Sequence, residues 1–129
     1  MWEALRPVMK PLDPVRIESR DTGSGIPDVN YIEGWMELKA VGRWPPRGGP
    51  LRVDHFTTEQ RTWLTRRNLA GGKAFLMLKV GKDEWLLFEG RTAAALLGYE
   101  IQARLYEVCK ARWTRLPRTE ELWKCLTKI

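Results

Sequence analysis

Apolar and polar positions change their period several times along the chain, and each change marks an element. Trp2–Met9 reads as a short helix that Pro11 and Pro14 end. Val15–Arg20 then alternates, with Val15, Ile17 and Ser19 on one face and Arg16, Glu18 and Arg20 on the other, as a strand does. Asp21–Gly25 is a turn by composition. Ile26–Ile32 forms a second strand, with Val29 and Tyr31 opposite Asp28 and Asn30. Glu33-Gly34 makes a tight turn into a third strand, Trp35–Val41. There Met36, Leu38 and Ala40 face one way, and Trp35, Glu37 and Lys39 the other.

Gly42–Pro50 has the composition of a loop. Thr57 and Gln60 form a capping-box pattern, opening a helix that runs to about Leu69 and ends at Gly71-Gly72. Ala74–Val80 and Glu84–Phe88 read as two strands of a hairpin closed by Gly81–Asp83. Helices follow from about Thr92 to the C-terminus, interrupted near Gly98 and Pro117. This order predicts an α/β fold, a central mixed sheet flanked by helices.

Length and composition narrow this to one domain over residues 1–129. The chain has 129 residues, 15.0 kDa and 43% hydrophobic content, enough for one substantial core. The longest apolar runs, Ala74–Leu78 and Ala93–Leu97, fall far short of the roughly 18–20 residues of a membrane span, so no membrane partner is expected. Met1–Lys10 carries Glu3 and has no signal-peptide core, which predicts a cytoplasmic, intracellular location. Two Cys and one His make neither a disulfide framework nor an easy structural zinc site. Cys109 and Cys125 read as inert thiols. No Gly-rich loop ends in Gly-Lys-Ser/Thr, which excludes a P-loop nucleotidase.

Charge is uneven. The formal net charge is +6 and the pI about 9.6. Residues 1–39 hold 5 basic and 7 acidic side chains, whereas residues 40–73 hold 7 and 2. A basic block beside an acidic one suits a site in which carboxylates hold a cation and the surrounding arginines meet a polyanion. Arg outnumbers Lys, 14 to 8, and there are only 2 Asn and 2 Gln, a bias shared by hot-living and GC-rich sources.

The candidate chemistry lies in Glu18, Asp28, Glu37 and Lys39. Glu37 and Lys39 share a strand face. A hairpin centred on Gly23 would set Glu18 opposite Asp28, roughly 5 Å apart at Cβ. Like charges there are destabilising, and a hard divalent cation on oxygen ligands removes that cost. Pro27 fixes the backbone just before Asp28, and Trp35 offers an apolar wall beside Glu37.

Gly25-Ile-Pro-Asp28 followed after eight residues by Glu37-Leu-Lys39 resembles the PD-(D/E)XK nuclease signature, with its two parts on adjacent strands. Phe56–Gln60 and Ala70–Gly72 resemble the helix region of the VRR-NUC-like and Holliday-junction-resolvase branches, often found in phage genomes. The resemblance covers about residues 15–90, which would be the catalytic core, with C-terminal helices over about 92–129. It implies metal-dependent hydrolysis of DNA phosphodiester bonds. Asp28, Glu37 and the Leu38 carbonyl would ligate Mg²⁺ or Mn²⁺, and Glu18 would complete the shell. Lys39 would position the attacking water and steady charge on the phosphate. Many relatives take the first acid from the opening helix, where this chain has Glu3; the hairpin register favours Glu18.

Gln60 shares a helix stripe with Phe56 and Leu64 and so points toward the sheet, either to serve the site or to close the capping box. Arg16, Arg20, Arg43, Arg47, Arg52, His55, Arg61 and Lys73 are candidate DNA contacts. His55 reads equally as a loop residue. Trp44 would wedge against a base or cover a partner copy. Leu105, Val108, Cys109 and Arg112 follow helical spacing, on helices that cover the sheet or form a homodimer surface. The leading expectation is a structure-selective endonuclease, a Holliday junction resolvase acting as a homodimer on four-way junctions. The alternatives are a repair or restriction-type nuclease on nicked, branched or single-stranded DNA, and a basic DNA-binding protein without catalysis.

Overall fold

The computed structural model describes residues 1–17 and 25–127. Six strands form one sheet in the order of the sequence: β1 Val15–Arg16, β2 Val29–Tyr31, β3 Gly34–Val41, β4 Lys73–Val80, β5 Glu84–Glu89 and β6 Ala111–Trp113. Every neighbouring pair is antiparallel except β3 with β4, which run parallel in register from Gly34↔Lys73 to Val41↔Val80. A parallel pair needs a crossover. It is supplied by residues 42–72, which include helix α2, Thr58–Leu69. The other helices are α1 Trp2–Met9, α3 Gly90–Leu96, α4 Gln102–Val108 and α5 Thr119–Thr127. The fold is α/β with a mixed sheet, as the element order predicted.

Helices cover both faces of the sheet. On one face Leu5 and Met9 of α1 and Leu122 and Leu126 of α5 pack on Val29, Tyr31, Met36, Met77 and Leu87. On the other Leu64 of α2, Ala93 of α3 and Leu105 of α4 pack on Leu76, Leu78, Leu86 and Phe88. Alternate residues of β4 therefore enter different cores. That is why Ala74–Leu78 is apolar without alternation. Among the described residues no helix is long and apolar enough to cross a membrane.

Four expectations change. The turn between β2 and β3 is Ile32-Glu33, because Tyr31 already pairs with Gly34. The β1–β2 register is shifted by one from that expected: Val15 pairs with Asn30 and Arg16 with Val29, and the Ile17 N–H donates to the Asp28 carbonyl at 2.7 Å. Ile17 is thus the backbone neighbour of Asp28, and Glu18 and Arg20 lie outside the described residues. β2 is shorter than Ile26–Ile32, since the Asp28 N–H bonds to a side chain. Finally, residues 111–113 are a strand. Helix α4 stops at Val108, and Lys110 N–H donates to Leu87 O at 2.7 Å, so the open edge of β5 takes the chain that helical spacing assigned to a helix.

Tyr31 joins the sheet to the last helix: its buried hydroxyl donates to the Leu126 carbonyl at 2.7 Å. Tyr31→Phe leaves that carbonyl without its partner and should cost about 1–2 kcal/mol in urea denaturation.

Candidate functional site

The site forms where β2 begins, against the middle of β3. Gly25 has φ +86°, and a Cβ there would sit 2.3 Å from the Glu59 carbonyl oxygen of α2. Only glycine lets the chain pass so close to the first turn of that helix. The chain then runs through buried Pro27 to Asp28, beside β3. Alternation along β3 sends Met36 to the core under α1 and α5, and Trp35, Glu37 and Lys39 to the α2 face. On that face Trp35 packs edge-on against Trp63 of α2 with ring centres 5.3 Å apart.

Asp28 and Glu37 bracket each other. The Asp28 N–H donates to Glu37 Oε1 at 3.2 Å, and the Leu38 N–H donates to Asp28 Oδ2 at 2.8 Å. Arg16 holds the other side of Asp28, with its guanidinium 3.2 Å from Oδ1 and 3.0 Å from the Asp28 carbonyl. Glu37 is 1% exposed, the one buried charged residue among those described. Its Oε2 has no hydrogen-bond partner among the described residues. The Lys39 ammonium is 3.5 Å from it, close enough for Coulomb attraction but without hydrogen-bond geometry.

Lys39 is itself held from behind. Its Nζ donates to the His55 carbonyl at 2.8 Å and lies 5.6 Å from the centre of the Phe56 ring. His55 adopts φ +62°, the left-handed region that a non-glycine residue occupies only when its surroundings impose it. That turn aims its main-chain oxygen at the lysine, while the imidazole is on an exposed residue.

Burial pushes the Glu37 carboxyl up from 4.5 to about 8. The Asp28 charge and the contact between the two carboxyls push the same way; Lys39 and the Asp28 N–H oppose them. Two carboxylates, the Leu38 main chain and one ammonium thus converge. Among the described residues no group of three His, Cys, Asp or Glu side chains converges. Glu3 does not join the pair: its side chain is 91% exposed at the start of α1, 3.4 Å from the N-terminal amine.

The remaining candidates separate. Gln60 closes the capping box, its Oε1 accepting from Thr57 N–H at 3.0 Å, with Thr57 Oγ1 accepting from Gln60 N–H. Of the two roles open to it, the cap is the one it performs here. Arg61 is drawn inward. It donates to the Ala94 and Phe56 carbonyls, and its guanidinium stacks on Phe56 and Tyr99 at 4.2 and 5.3 Å. Lys73 binds Glu33 and the Thr127 carbonyl at the far end of the parallel pair. Arg43, Arg47 and Arg52 are exposed on the loop after β3, with no ion-pair or hydrogen-bond partner among the described residues. Cys109 and Cys125 are half-buried free thiols, and burial raises both above the usual thiol range.

Trp44 is held within the fold. Its Nε1 donates to Glu84 Oε1 at 2.7 Å, and its ring packs edge-on against Tyr106. Glu84 also accepts from Tyr106 and Arg112, so one carboxylate ties the loop after β3 to β5, α4 and β6. No sequence signal marks that hub, because its members lie up to 68 residues apart, from Trp44 to Arg112. No protein-family model, curated protein or solved structure matches the chain.

Glu37 gives the protein a pH dependence of definite sign. Between its ordinary value and about 8 the folded chain holds a proton that the unfolded chain has lost. This contribution to stability is present at low pH and disappears as pH rises through that window. Melting curves in EDTA should show wild type losing stability from pH 5 to pH 8.5, with Glu37→Gln flattening the slope. An unchanged slope in the variant would place the titration elsewhere.

Proposed function

We propose that this protein is a metal-dependent DNA nuclease that hydrolyses phosphodiester bonds, with four-way junction DNA as its substrate. The observation that carries the reading is the orphaned Oε2 of Glu37, buried between a second carboxylate and an ammonium. A buried charge without a partner is costly, and a proton or a cation relieves it. Two carboxylates and a main-chain carbonyl are oxygen donors of the kind that hard divalent cations accept, and Mg²⁺ keeps several waters when so held. Asp28, Glu37 and the Leu38 carbonyl would hold the ion. When bound, Mg²⁺ or Mn²⁺ supplies an acidified water and neutralises charge developing on the phosphate.

The protein's own groups have distinct tasks. Arg16 and the Leu38 N–H orient the Asp28 carboxylate. The His55 carbonyl keeps the Lys39 ammonium beside Glu37 Oε2, so its position is set before substrate arrives. A fixed ammonium stabilises negative charge on a phosphate oxygen more than a mobile one does, because nothing has to reorganise. Gln60 gives its Oε1 to the helix cap and is assigned no step. Arg43, Arg47 and Arg52, without acidic partners among the described residues, supply the electrostatic hold on the backbone. Paired cuts in a two-fold symmetric junction require two copies of the site, hence a homodimer.

Cleavage assays test this directly. With Mg²⁺ the protein should cut a four-way junction at paired positions and spare linear duplex of the same sequence; EDTA should stop it. Equal cutting of both would remove the junction preference, and no metal-dependent cutting of any DNA would overturn the nuclease reading. Asp28→Asn and Lys39→Met should each lower the rate by about 10²-fold or more while junction binding in EDTA persists. Mg²⁺ should also raise the melting temperature of wild type at pH 8, and raise that of Asp28→Asn far less.

A further inference from the structure

One residue past Lys39, on Ala40, the chain opens a groove of about 460 Å³ in the loop that follows β3. Arg43, Trp44, Pro45, Pro46, Arg52 and Asp54 line it. From this groove we infer a binding site for an unpaired DNA strand, beside the proposed catalytic centre along the chain. The inference rests on the nuclease reading for its substrate, and on the groove's own shape and charge for its preference.

Three observations converge. First, the walls are preformed. Trp44 is fixed by its bond to Glu84 and its edge contact with Tyr106. Pro45 and Pro46 have restricted backbones. The Gly48 N–H closes a turn onto the Pro45 carbonyl at 3.1 Å, and the Leu51 N–H ties the far limb to Glu100 at 3.1 Å. Leu51 anchors that limb in the core at 2% exposure.

Second, the cations are available. Arg43 and Arg52 line the groove without an acidic partner among the described residues, whereas Arg16, Arg104, Arg112 and Arg115 are each bound to a carboxylate. Two arginines against the single carboxylate of Asp54 leave the groove positive, as a phosphate chain requires.

Third, size and chemistry select an unpaired strand over a duplex. The volume falls within the 300–1,000 Å³ common for small-ligand sites. A duplex would lie across its rim with its bases stacked inside the helix. A Trp-Pro-Pro wall offers an apolar surface to a base face, and that face is exposed only when the base is unstacked. Asp54 accepts hydrogen bonds only, matching base N–H groups and repelling phosphate. Phosphates on the arginines and a base on the wall therefore fit together. The groove runs from the end of β3 to Asp54, whose neighbour His55 holds Lys39.

Fluorescence anisotropy on the full-length protein in EDTA tests the groove without cleavage. The probes are a labelled mixed-sequence 20-nucleotide single strand and the duplex of the same sequence. The single strand should bind about 5-fold or more tightly than the duplex, and the Arg43→Ala/Arg52→Ala double variant should lose about 10-fold on the single strand. Both arginines are exposed, and circular dichroism should confirm that the variant folds. Equal affinity for the two probes, or unaltered binding by the folded variant, would overturn the inference. Cleavage with Mg²⁺ is read separately. Single-strand preference without metal-dependent cutting keeps the groove and removes the nuclease reading, whereas cutting without that preference does the reverse.

Discussion

A carboxylate taken out of water beside a second carboxylate has to be neutralised, and the chain around Glu37 is arranged to hold that tension. Asp28 could have been kept away from Glu37 by any looser approach of the preceding segment. Instead Gly25 presses that segment against α2, and bonds from the Asp28 N–H to Glu37 and from the Leu38 N–H to Asp28 hold the acids together. Lys39 could have quenched the charge by closing on Oε2. Instead the His55 carbonyl holds it back at 3.5 Å. The polar groups of this corner are restrained just short of satisfying one another, an arrangement more typical of a site that receives something than of a structural ion pair.

The parts of the fold written in local pattern were legible. The capping box at Thr57 and Gln60, the β4–β5 hairpin and the helix at Trp2–Met9 each depend on residues close in sequence, and each appears with nearly the expected bounds. The shared face of Glu37 and Lys39 was legible through alternation along β3, whereas the meeting of Asp28 with Glu37 was expected only from the resemblance of the motif. What pattern could not give was whatever long-range pairing decided. Residues 111–113 have helical spacing on one side and an open sheet edge to pair with, and the edge prevails. The one-residue shift of β1 against β2 cannot be read from a turn whose centre composition alone suggests.

Candidate site residues divided by a similar rule. Glu37 and Lys39 share a face because strand geometry forces them to, and the close passage at Gly25 and two amide bonds bring Asp28 to them. Arg61, Lys73 and Trp44 were nominated by charge or aromatic character and proved to be engaged in holding the fold, with partners 33, 40 and 40 residues away. A cation or an indole in sequence carries no sign of whether a carbonyl or carboxylate from another element already claims it. Arg43, Arg47 and Arg52 stay exposed on their loop, without an ion-pair partner among the described residues.

The hold on Lys39 comes from a main-chain oxygen, and this shapes how the chain tolerates change. No side-chain replacement at position 55 deletes that acceptor, so the imidazole itself is dispensable for the contact. What position 55 must conserve is a backbone dihedral. Asparagine and glycine enter the left-handed region readily, whereas valine or isoleucine would swing the carbonyl away. Variation among homologous chains at this position would therefore be constrained by shape, with chemically unlike residues interchangeable and chemically ordinary ones forbidden.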